Sequence, residues 1–404
     1  MKSIIIINQY IGSPYHGMEY RHYYLARNLI KLGYKVTLIT GSYSHLFTTL
    51  PKTNSQFTKE YIDGIEYIWV RLPKYKTSKS IGRIWNMMCF AWKLRFLKDL
   101  EPSHIIVSSP SLFPVKIAYE WTQKFKTKLL FEIRDIWPLT LTEFTSLTYR
   151  HPLIRIMYHY EKFGYRHADK IISLLPNAKK YYIDQGMKED KFVYVPNGIE
   201  VDERTKDELP DEVRKKIPKN KFIIAYIGTV GLANNLDYLI DGANALKKYH
   251  DIHFIVLGNG GEKNRLEKRV KTLLLSNVSF IDAIDKDKVE NFLSYVDVAF
   301  ISLVSENLFK FGVSPNKVFD YMYAKKPIIW AIAAGNDLVK EAQCGESVLL
   351  NNIEYLKDSV LKLYAMSETE RCKLGENGYN FVLQNNSYQA LAKKVIRIIE
   401  EQDV

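Results

Sequence analysis

The loop from residue 10 to 17, YIGSPYHG, carries residue types that suit an anionic ligand. It follows an Ile-rich segment and opens an amphipathic stretch, so backbone N–H groups at the helix start, with Gly17 allowing close approach, predict a phosphate contact. His16 and Arg21 are the candidate side chains for binding this anion. The alternative is a surface Arg21 followed by a half-buried His22. The loop lacks Gly-x-Gly-x-x-Gly, so the fingerprint of a dinucleotide site is absent.

A second loop has the same form. Residues 228–235, GTVGLANN, follow the apolar segment FIIAYI and precede another amphipathic stretch. Gly228 and Gly231 are therefore candidate contacts for a diphosphate. A Gly-rich turn between a strand and a helix is a common phosphate cradle, although the form alone has low specificity.

The segment 132–138, EIRDIWP, places three charges beside a Trp-Pro pair. Unpaired charges are costly inside a protein, so these residues are not expected in a core. We therefore interpret Arg134 and Asp135 as a functional pair. The alternative is a structural ion pair that fixes the loop.

The segment 305–322 contains a helix start at Ser-Pro, residues 314–315. Asn316 and Lys317 fall in the first turn and Asp320 one turn later. A cation in the first turn opposes the helix dipole, so Lys317 is predicted to serve a ligand. Together these side chains suit a phosphate and a ribose hydroxyl.

Short β-branched runs alternate with longer amphipathic stretches, and this alternation predicts two doubly wound parallel sheets. Ligands of such sheets bind beyond the carboxyl ends of the strands, where the loops above lie. The predicted strands are 3–8, 35–40, 65–71, 105–108, 128–132, 170–173 and 192–194, and then 222–228, 253–257, 278–281, 298–303 and 327–331.

A chain of 404 residues exceeds what one hydrophobic core usually holds. We predict two Rossmann-like domains that face each other across a cleft. Their expected bounds are 1–198 for the first domain, 199–220 for a polar linker, 221–385 for the second domain and 386–404 for a C-terminal helix that crosses back to the first.

The composition excludes several classes of protein. With 47% hydrophobic and 25% charged residues and no biased tract, the chain is expected to be globular and ordered. No apolar run reaches 18 residues, and the N-terminal Ile-rich segment is too short for a signal peptide. The three cysteines share no metal or disulfide spacing, which favours a reducing compartment, the cytoplasm.

The formal charge of +12 is unevenly distributed. Residues 1–200 contain 29 Lys and Arg against 16 Asp and Glu, whereas residues 201–404 contain 28 against 29. An excess confined to one half indicates an anionic partner, such as a nucleic acid, an anionic membrane surface or a phosphorylated ligand. A solubilising surface is the alternative.

The stretch 79–100 combines Trp, Phe and Met at helical spacing with several Lys and Arg. Such a helix can lie on an anionic bilayer with its aromatic side chains inserted. A core-facing helix with a solvated basic face explains the pattern equally well.

Taken together, these pieces resemble the GT-B-fold retaining glycosyltransferases of family 4, and within them the sugar transferases of bacterial capsule and O-antigen synthesis. The resemblance spans nearly the whole chain, and its specificity lies in the order and spacing of the pieces. They are residues 17–21, 25–26, 33–37, 132–138, 167–169, 195–199, 228–235, 257–260 and 314–322.

The resemblance implies a nucleotide-sugar donor held mainly by the C-terminal domain, with Gly17, Gly228 and Gly231 as diphosphate contacts. Asp320 matches the second carboxylate of the family's Glu-x7-Glu motif, which grips the ribose. The first carboxylate is replaced by Gly312, so Lys317 or Glu306 is expected to take over donor contacts. Two more departures are the Asn pair 234–235, where the family usually has Arg and Lys, and Asp135 beside Arg134, where many members have a His.

The implied reaction is retaining transfer of a hexose, an N-acetylated amino- or deoxy-sugar, from a UDP-sugar to a polyprenyl-diphosphate-linked saccharide on the cytoplasmic membrane face. No cofactor and no divalent metal is expected, and the sequence has no Asp-x-Asp suited to Mg²⁺. One alternative is a GT-B-fold nucleotide-sugar epimerase. A nucleic-acid-binding protein is the other, disfavoured because the basic residues are dispersed and form no recognition module.

Overall fold

A computed structural model describes residues 2–17, 20–76, 81–201, 208–350 and 352–401 of the chain. The chain forms two compact units, unit 1 (Met1–Glu200 with Tyr388–Val404) and unit 2 (Val201–Ser387). Of the linker predicted over 199–220, residues 202–207 lie outside the described residues. The part from residue 208 onward belongs to unit 2, where Val213 and Ile217 are buried.

Unit 1 is built on a mixed sheet in which the order of the described strands is β3-β4-β2-β1-β5-β6-β7-β8. All neighbouring pairs are parallel except β3 and β4, which form an antiparallel hairpin. The strands are β1 (Ser3–Ile7), β2 (Lys35–Gly41), β3 (Phe57–Ile62), β4 (Ile65–Val70), β5 (His104–Ser108), β6 (Lys128–Ile133), β7 (Lys170–Ser173) and β8 (Phe192–Tyr194).

Helices cover the sheet of unit 1. They are α1 (Arg21–Lys31), α2 (Ile81–Leu94), α3 (Pro114–Phe125), α4 (Leu139–Phe144), α5 (Pro152–His167) and α6 (Lys179–Asp184). The central strand β1 is a run of four Ile, all buried, as expected for a parallel strand covered on both faces. β3 was missed by the sequence analysis because it is an edge strand of alternating, mostly half-exposed residues with no continuous apolar run.

Unit 2 contains a parallel sheet, whose described strands have the order β11-β10-β9-β12-β13-β14. The strands are β9 (Phe222–Ile227), β10 (Ile252–Leu257), β11 (Val278–Ile281), β12 (Val298–Ser302), β13 (Ile328–Ala331) and β14 (Gly345–Ser347). The helices are α7 (Asp211–Arg214), α8 (Leu236–Ala245), α9 (Lys263–Thr272), α10 (Val289–Ser294), α11 (Asn316–Tyr323), α12 (Leu338–Ala342), α13 (Ile353–Ala365) and α14 (Glu368–Asn385).

The last helix, α15 (Tyr388–Glu400), belongs to unit 1. Tyr388 stacks on Tyr24 of α1 with ring centroids 5.3 Å apart, and its backbone N–H donates to the Ile199 carbonyl. Leu391 and Val395 are buried in the same cluster as the residues of β1 and α1. The predicted return of the C-terminal helix to the first domain is therefore confirmed, as is the doubly wound α/β class of both units.

Among the described helices, none combines the length and the apolar character needed to cross a bilayer.

Glu161, on α5, is a fully buried carboxyl that faces tyrosines. The hydroxyls of Tyr165 and Tyr181 each donate to its Oε1 at 3.1 Å. Burial raises the pKa of Glu161 to about 8, and these two hydrogen bonds oppose the rise. Because the pKa in an unfolded chain is about 4.3, folding must bind a proton at any pH between these two values.

We expect Glu161→Gln to stabilise the protein increasingly as the pH rises from about 4.5 to 8, because Gln reproduces the protonated carboxyl without taking up a proton. The gain in melting temperature should reach a few degrees at pH 8 and be near zero at the acidic end. Thermal melting at several pH values measures it, with the exposed Glu120→Gln on α3 as the control. A Glu161→Gln variant that is less stable at pH 8 would contradict a protonated Glu161.

Candidate active site

The ammonium group of Lys317 lies over the Gly-rich loop that follows β9. A Cβ atom added at Gly228 would come within 2.3 Å of the Lys317 Cε, and Gly228 has a φ of +140°. The Lys317 Nζ donates to the Tyr226 hydroxyl at 2.6 Å and to the Asn234 Oδ1 at 2.7 Å. It also lies 4.6 Å from the centroid of the Tyr226 ring. A side chain at 228 would therefore displace the Lys317 ammonium from this position.

No carboxylate neutralises Lys317 within the described ranges of the chain. Its hydrogen-bond partners are two neutral oxygens, and burial alone lowers its pKa to about 8. An ammonium group has three N–H donors, so one remains for a ligand after these two bonds. The site is therefore a half-buried cation that an anion would neutralise.

The Gly-containing loops after β9 and β10 pack against each other beside Lys317. The Gly228 N–H donates to the Leu257 carbonyl, and the Val230 N–H donates to the Asn259 carbonyl, each at 2.9 Å. A Cβ at Gly258 would lie 1.9 Å from the Gly228 oxygen, so the loops after β9 and β10 meet backbone to backbone. Because the Gly228 amide is already bonded, this residue offers space for Lys317 and no free N–H for a phosphate.

Asn234 links the loop to Lys317. Its Nδ2 donates to the Thr229 carbonyl at 2.9 Å, which turns its Oδ1 toward the Lys317 ammonium. Gly231 accepts from the Asn234 N–H, and a Cβ there would have 3.8 Å of clearance, so the structure does not require glycine at 231. In the sequence, Asn234 stands out only as a departure from the family pattern, and Tyr226 is hidden within an apolar strand.

The other residues predicted for the donor lie in the same unit. Asn316 is exposed at the start of α11, and Asp320 is half-buried one turn further along it. Glu306 is half-buried and precedes a short 3-10 turn, Asn307–Phe311. Gly312, where the family's first carboxylate would stand, has a φ of +101°. Of these candidates, Lys317 is the side chain seen to contact the Gly228 loop.

Arg21 is not placed to bind an external anion. It is buried on α1, and its guanidinium donates to the Glu132 Oε2 from Nε at 3.1 Å and from Nη2 at 2.9 Å. It also donates to the carbonyls of Val195 and Pro196. The prediction of an anion-binding Arg21 is wrong, because Glu132 already neutralises the charge.

Glu132 is the centre of a buried polar cluster at the carboxyl end of β6. Besides the Arg21 bonds, it accepts hydrogen bonds from the His22 Nε2 and the Ser108 hydroxyl, both at 2.8 Å. Although burial opposes ionisation, Arg21 and His22 hold the pKa of Glu132 well below its usual range. Burial lowers the pKa of His22, with Glu132 partly opposing it, so its imidazole is neutral at pH 7.

His16 and Gly17 both have partners within unit 1. The His16 ring is buried, lies 4.9 Å from the Trp69 ring and has its Nδ1 2.9 Å from the Ser13 hydroxyl. Burial lowers its pKa, and its Nε2 lies 3.8 Å from the carboxylate of Glu60. A role for His16 in binding an anion stays a prediction.

Glycine is required at position 17 because the backbone of residues 46–48 packs directly against it. Its φ is +109°, and a Cβ would lie 2.8 Å from both the Leu46 oxygen and the Thr48 nitrogen. Its N–H donates to the Ser13 carbonyl at 2.9 Å, so this amide is unavailable to a phosphate. The amphipathic stretch after this loop forms helix α1, which starts at Arg21, and residues 18 and 19 lie outside the described ranges.

Arg134 and Asp135 stand in the loop after β6, at the carboxyl edge of the unit 1 sheet. The Arg134 N–H donates to the Ser109 hydroxyl at 2.9 Å, and the Asp135 carbonyl accepts from the Trp137 N–H. Asp135 is exposed, whereas Arg134 is half-buried. Of the two residues, Asp135 is the more exposed to solvent.

Comparison with known proteins gives a consistent result for both units. Residues 15–203 match the family model Glycosyltransferase Family 4, and residues 208–381 match the model Glycosyl transferases group 1. WcaI of Escherichia coli K12, named for glycosyl transfer in colanic acid biosynthesis, is 27% identical over 260 residues, which are 61% of this chain and 63% of that protein. The O-antigen biosynthesis glycosyltransferase WclY of Escherichia coli is 30% identical over 140 residues, 34% of this chain and 38% of that protein.

The matched regions thus span less than two thirds of the length of these relatives. Among solved structures, Anabaena HepE in complex with UDP and glucose covers 99% of this chain and 100% of its own, with a TM-score of 0.64 and 13% identity. A likeness at this identity shows a shared fold.

We expect Lys317→Ala to weaken binding of UDP at least tenfold at pH 7, because a charge-assisted hydrogen bond to the diphosphate is lost. Above a pH of about 8 the wild-type affinity should also fall, since the free amine loses its proton while the diphosphate requires the charged form. Isothermal titration calorimetry measures both effects. Lys310→Ala, which removes an exposed cation from the turn before α11, is the matched control. Equal affinities for wild type and Lys317→Ala would exclude Lys317 from the phosphate site.

Proposed function

This chain belongs to the GT-B-fold glycosyltransferases of family 4, and from that membership we propose that it transfers a hexose from a UDP-sugar to a polyprenyl-diphosphate-linked saccharide. The product is a precursor of a bacterial surface polysaccharide, and the sugar is an N-acetylated amino- or deoxy-hexose. The single observation that carries the proposal is the Lys317 ammonium, which lies over the Gly228 loop without a carboxylate partner among the described residues.

The donor diphosphate suits this cation in charge and position. Loss of UDP from the sugar leaves negative charge on a phosphate oxygen, and a cation already in place stabilises that charge most where water is excluded. Tyr226 and Asn234 hold the ammonium in place with short hydrogen bonds. The cation therefore needs little movement when charge develops on the leaving phosphate. Asp320, one turn further along α11, is proposed to bind the donor ribose.

The proposed transfer retains the anomeric configuration. The bond from the anomeric carbon to the UDP oxygen breaks, the acceptor oxygen bonds to the same face of that carbon, and the acceptor proton moves to the departing phosphate oxygen. Such a step depends on positioning and on a neutralised leaving group, and it needs no divalent metal. Asp135, exposed at the carboxyl edge of the unit 1 sheet, is proposed as the acidic group that assists the transfer.

The charge of unit 1 supports a lipid-linked acceptor. The excess of Lys and Arg lies within residues 1–200, which suits both an acceptor diphosphate and anionic lipid headgroups. The relatives WcaI and WclY are named for synthesis of colanic acid and O-antigen. We therefore propose that the protein works as a peripheral protein on the cytoplasmic face of the membrane.

The proposal predicts transfer of radiolabel from a UDP-sugar into lipid. The donor is first selected by thermal shift among UDP-, GDP-, ADP- and dTDP-sugars, since a ligand stabilises in proportion to the logarithm of its concentration over Kd. Membranes that carry polyprenyl-diphosphate saccharides are then incubated with the labelled donor, with and without EDTA. Label in the organic phase in both reactions supports the proposal. Donor turnover that is equally fast without acceptor would overturn it.

Asp135→Asn should lower the rate of transfer at least tenfold while donor affinity by calorimetry stays within twofold, because Asp135 is not among the residues proposed to hold the donor. Glu143→Gln, an exposed change on α4, is the matched control. If Asp135→Asn transfers at the wild-type rate, Asp135 only supports the loop.

A further inference from the structure

Helix α2 is apolar on two opposite faces, and only one of them is covered. Met87, Phe90 and Leu94 are buried against unit 1. At about 100° per residue, Trp85, Met88 and Trp92 fall on the other side of the helix axis. Two of these are large aromatic residues, with Trp85 60% exposed and Trp92 56% exposed.

Phe96 extends the uncovered face beyond the helix end. It is exposed, and its ring lies 4.8 Å from the Trp92 ring in an edge-to-face arrangement. The outer surface, defined as Trp85, Met88, Trp92 and Phe96, thus forms a continuous stripe along more than two turns. Isolated exposed apolar residues are normal, but a stripe of four large ones marks a contact surface.

The segment that contains α2 is rich in positive charge. Residues 71–98 hold eight of the 29 Lys and Arg in residues 1–200 and none of the 16 Asp and Glu. The chain after β4 runs alongside α2, because the Arg71 carbonyl accepts from the Lys93 Nζ at 2.6 Å. Lys74 and Lys76 on this neighbouring segment are exposed, as is Arg95 after the helix. Exposed cations therefore flank the apolar stripe.

We propose that the outer surface of α2 inserts into the headgroup region of an anionic bilayer, with Trp85 and Trp92 as the main anchors. Tryptophan favours the membrane interface, where its ring is buried and its N–H stays hydrated. Lys and Arg near an anionic bilayer add electrostatic attraction, and insertion of an apolar stripe adds hydrophobic binding free energy.

The position of α2 connects this surface to the proposed acceptor. The Asn86 side chain accepts a hydrogen bond from Gln9, and the Arg83 Nε donates to the Tyr10 hydroxyl at 3.1 Å. Gln9 and Tyr10 follow β1 and lie at the carboxyl edge of the sheet. A bilayer on α2 would bring a lipid-linked diphosphate close to this edge, so the inference rests on, and deepens, the proposed function.

The test is cosedimentation of the full chain with vesicles of phosphatidylglycerol and phosphatidylcholine in equal parts, at low and high salt. Wild type should bind, release in high salt and show a blue shift of tryptophan fluorescence on binding. The double variant Trp85→Ser/Trp92→Ser should bind at least tenfold more weakly. Tyr61→Ser/Leu274→Ser, which removes two exposed large apolar side chains elsewhere, is the matched control and should bind as wild type does.

Wild-type vesicle binding by the tryptophan double variant, or no wild-type binding at low salt, would overturn the inference. Loss of a wild-type dimer in the double variant, seen by sedimentation velocity, would also overturn it and assign the surface to a second copy of the chain. Unchanged UDP affinity shows that the variant is folded. Vesicle binding without sugar transfer would contradict the proposed function and leave the membrane surface supported. Transfer to a detergent-solubilised polyprenyl-diphosphate saccharide without vesicle binding would contradict the membrane surface and leave the proposed function supported.

Discussion

The buried carboxylate of Glu132 is the interaction on which the carboxyl edge of unit 1 depends. It joins α1 through Arg21 and His22 to β5 through Ser108, and Arg21 continues to the carbonyls after β8. Removing one partner of such a pair would leave an unpaired charge in the interior, at a cost of about 3–5 kcal/mol. The first helix and three strands of the sheet are therefore held in one arrangement, and the loop that bears Asp135 starts from it.

In unit 2, the cation Lys317 has no carboxylate partner among the described residues, in contrast to Arg21 in unit 1. Lys317 is half-buried, and within the described residues it has neutral oxygens as partners and no carboxylate. The cost of keeping this cation away from water is recovered only when an anion binds, which is the property expected of a binding residue and not of a scaffold residue. Arg21 is thus neutralised within the fold, whereas the charge of Lys317 is proposed to be neutralised by a ligand.

The sequence predicted features that depend on the pattern within one short segment. The Ile run of β1 predicted a covered parallel strand, which the structure confirms. The structure also places Lys317 in the first turn of α11, as predicted, and its ligand role stays a prediction. Arg21 could not be interpreted in the same way, because Glu132 is 111 positions away and one sequence does not show such pairings. For α2, the helical spacing was visible, but which of its two apolar faces is covered depends on packing against unit 1.

The number of protons taken up when UDP binds tests most directly whether Lys317 holds the donor diphosphate. Calorimetry in two buffers of different ionisation heat, at a pH of about 8.5, measures this uptake. Because the pKa of the free Lys317 amine is about 8, bound diphosphate should draw well over half a proton, and Lys317→Arg, which is always charged, should draw none. Equal binding heats in the two buffers for wild type would contradict a diphosphate held by Lys317.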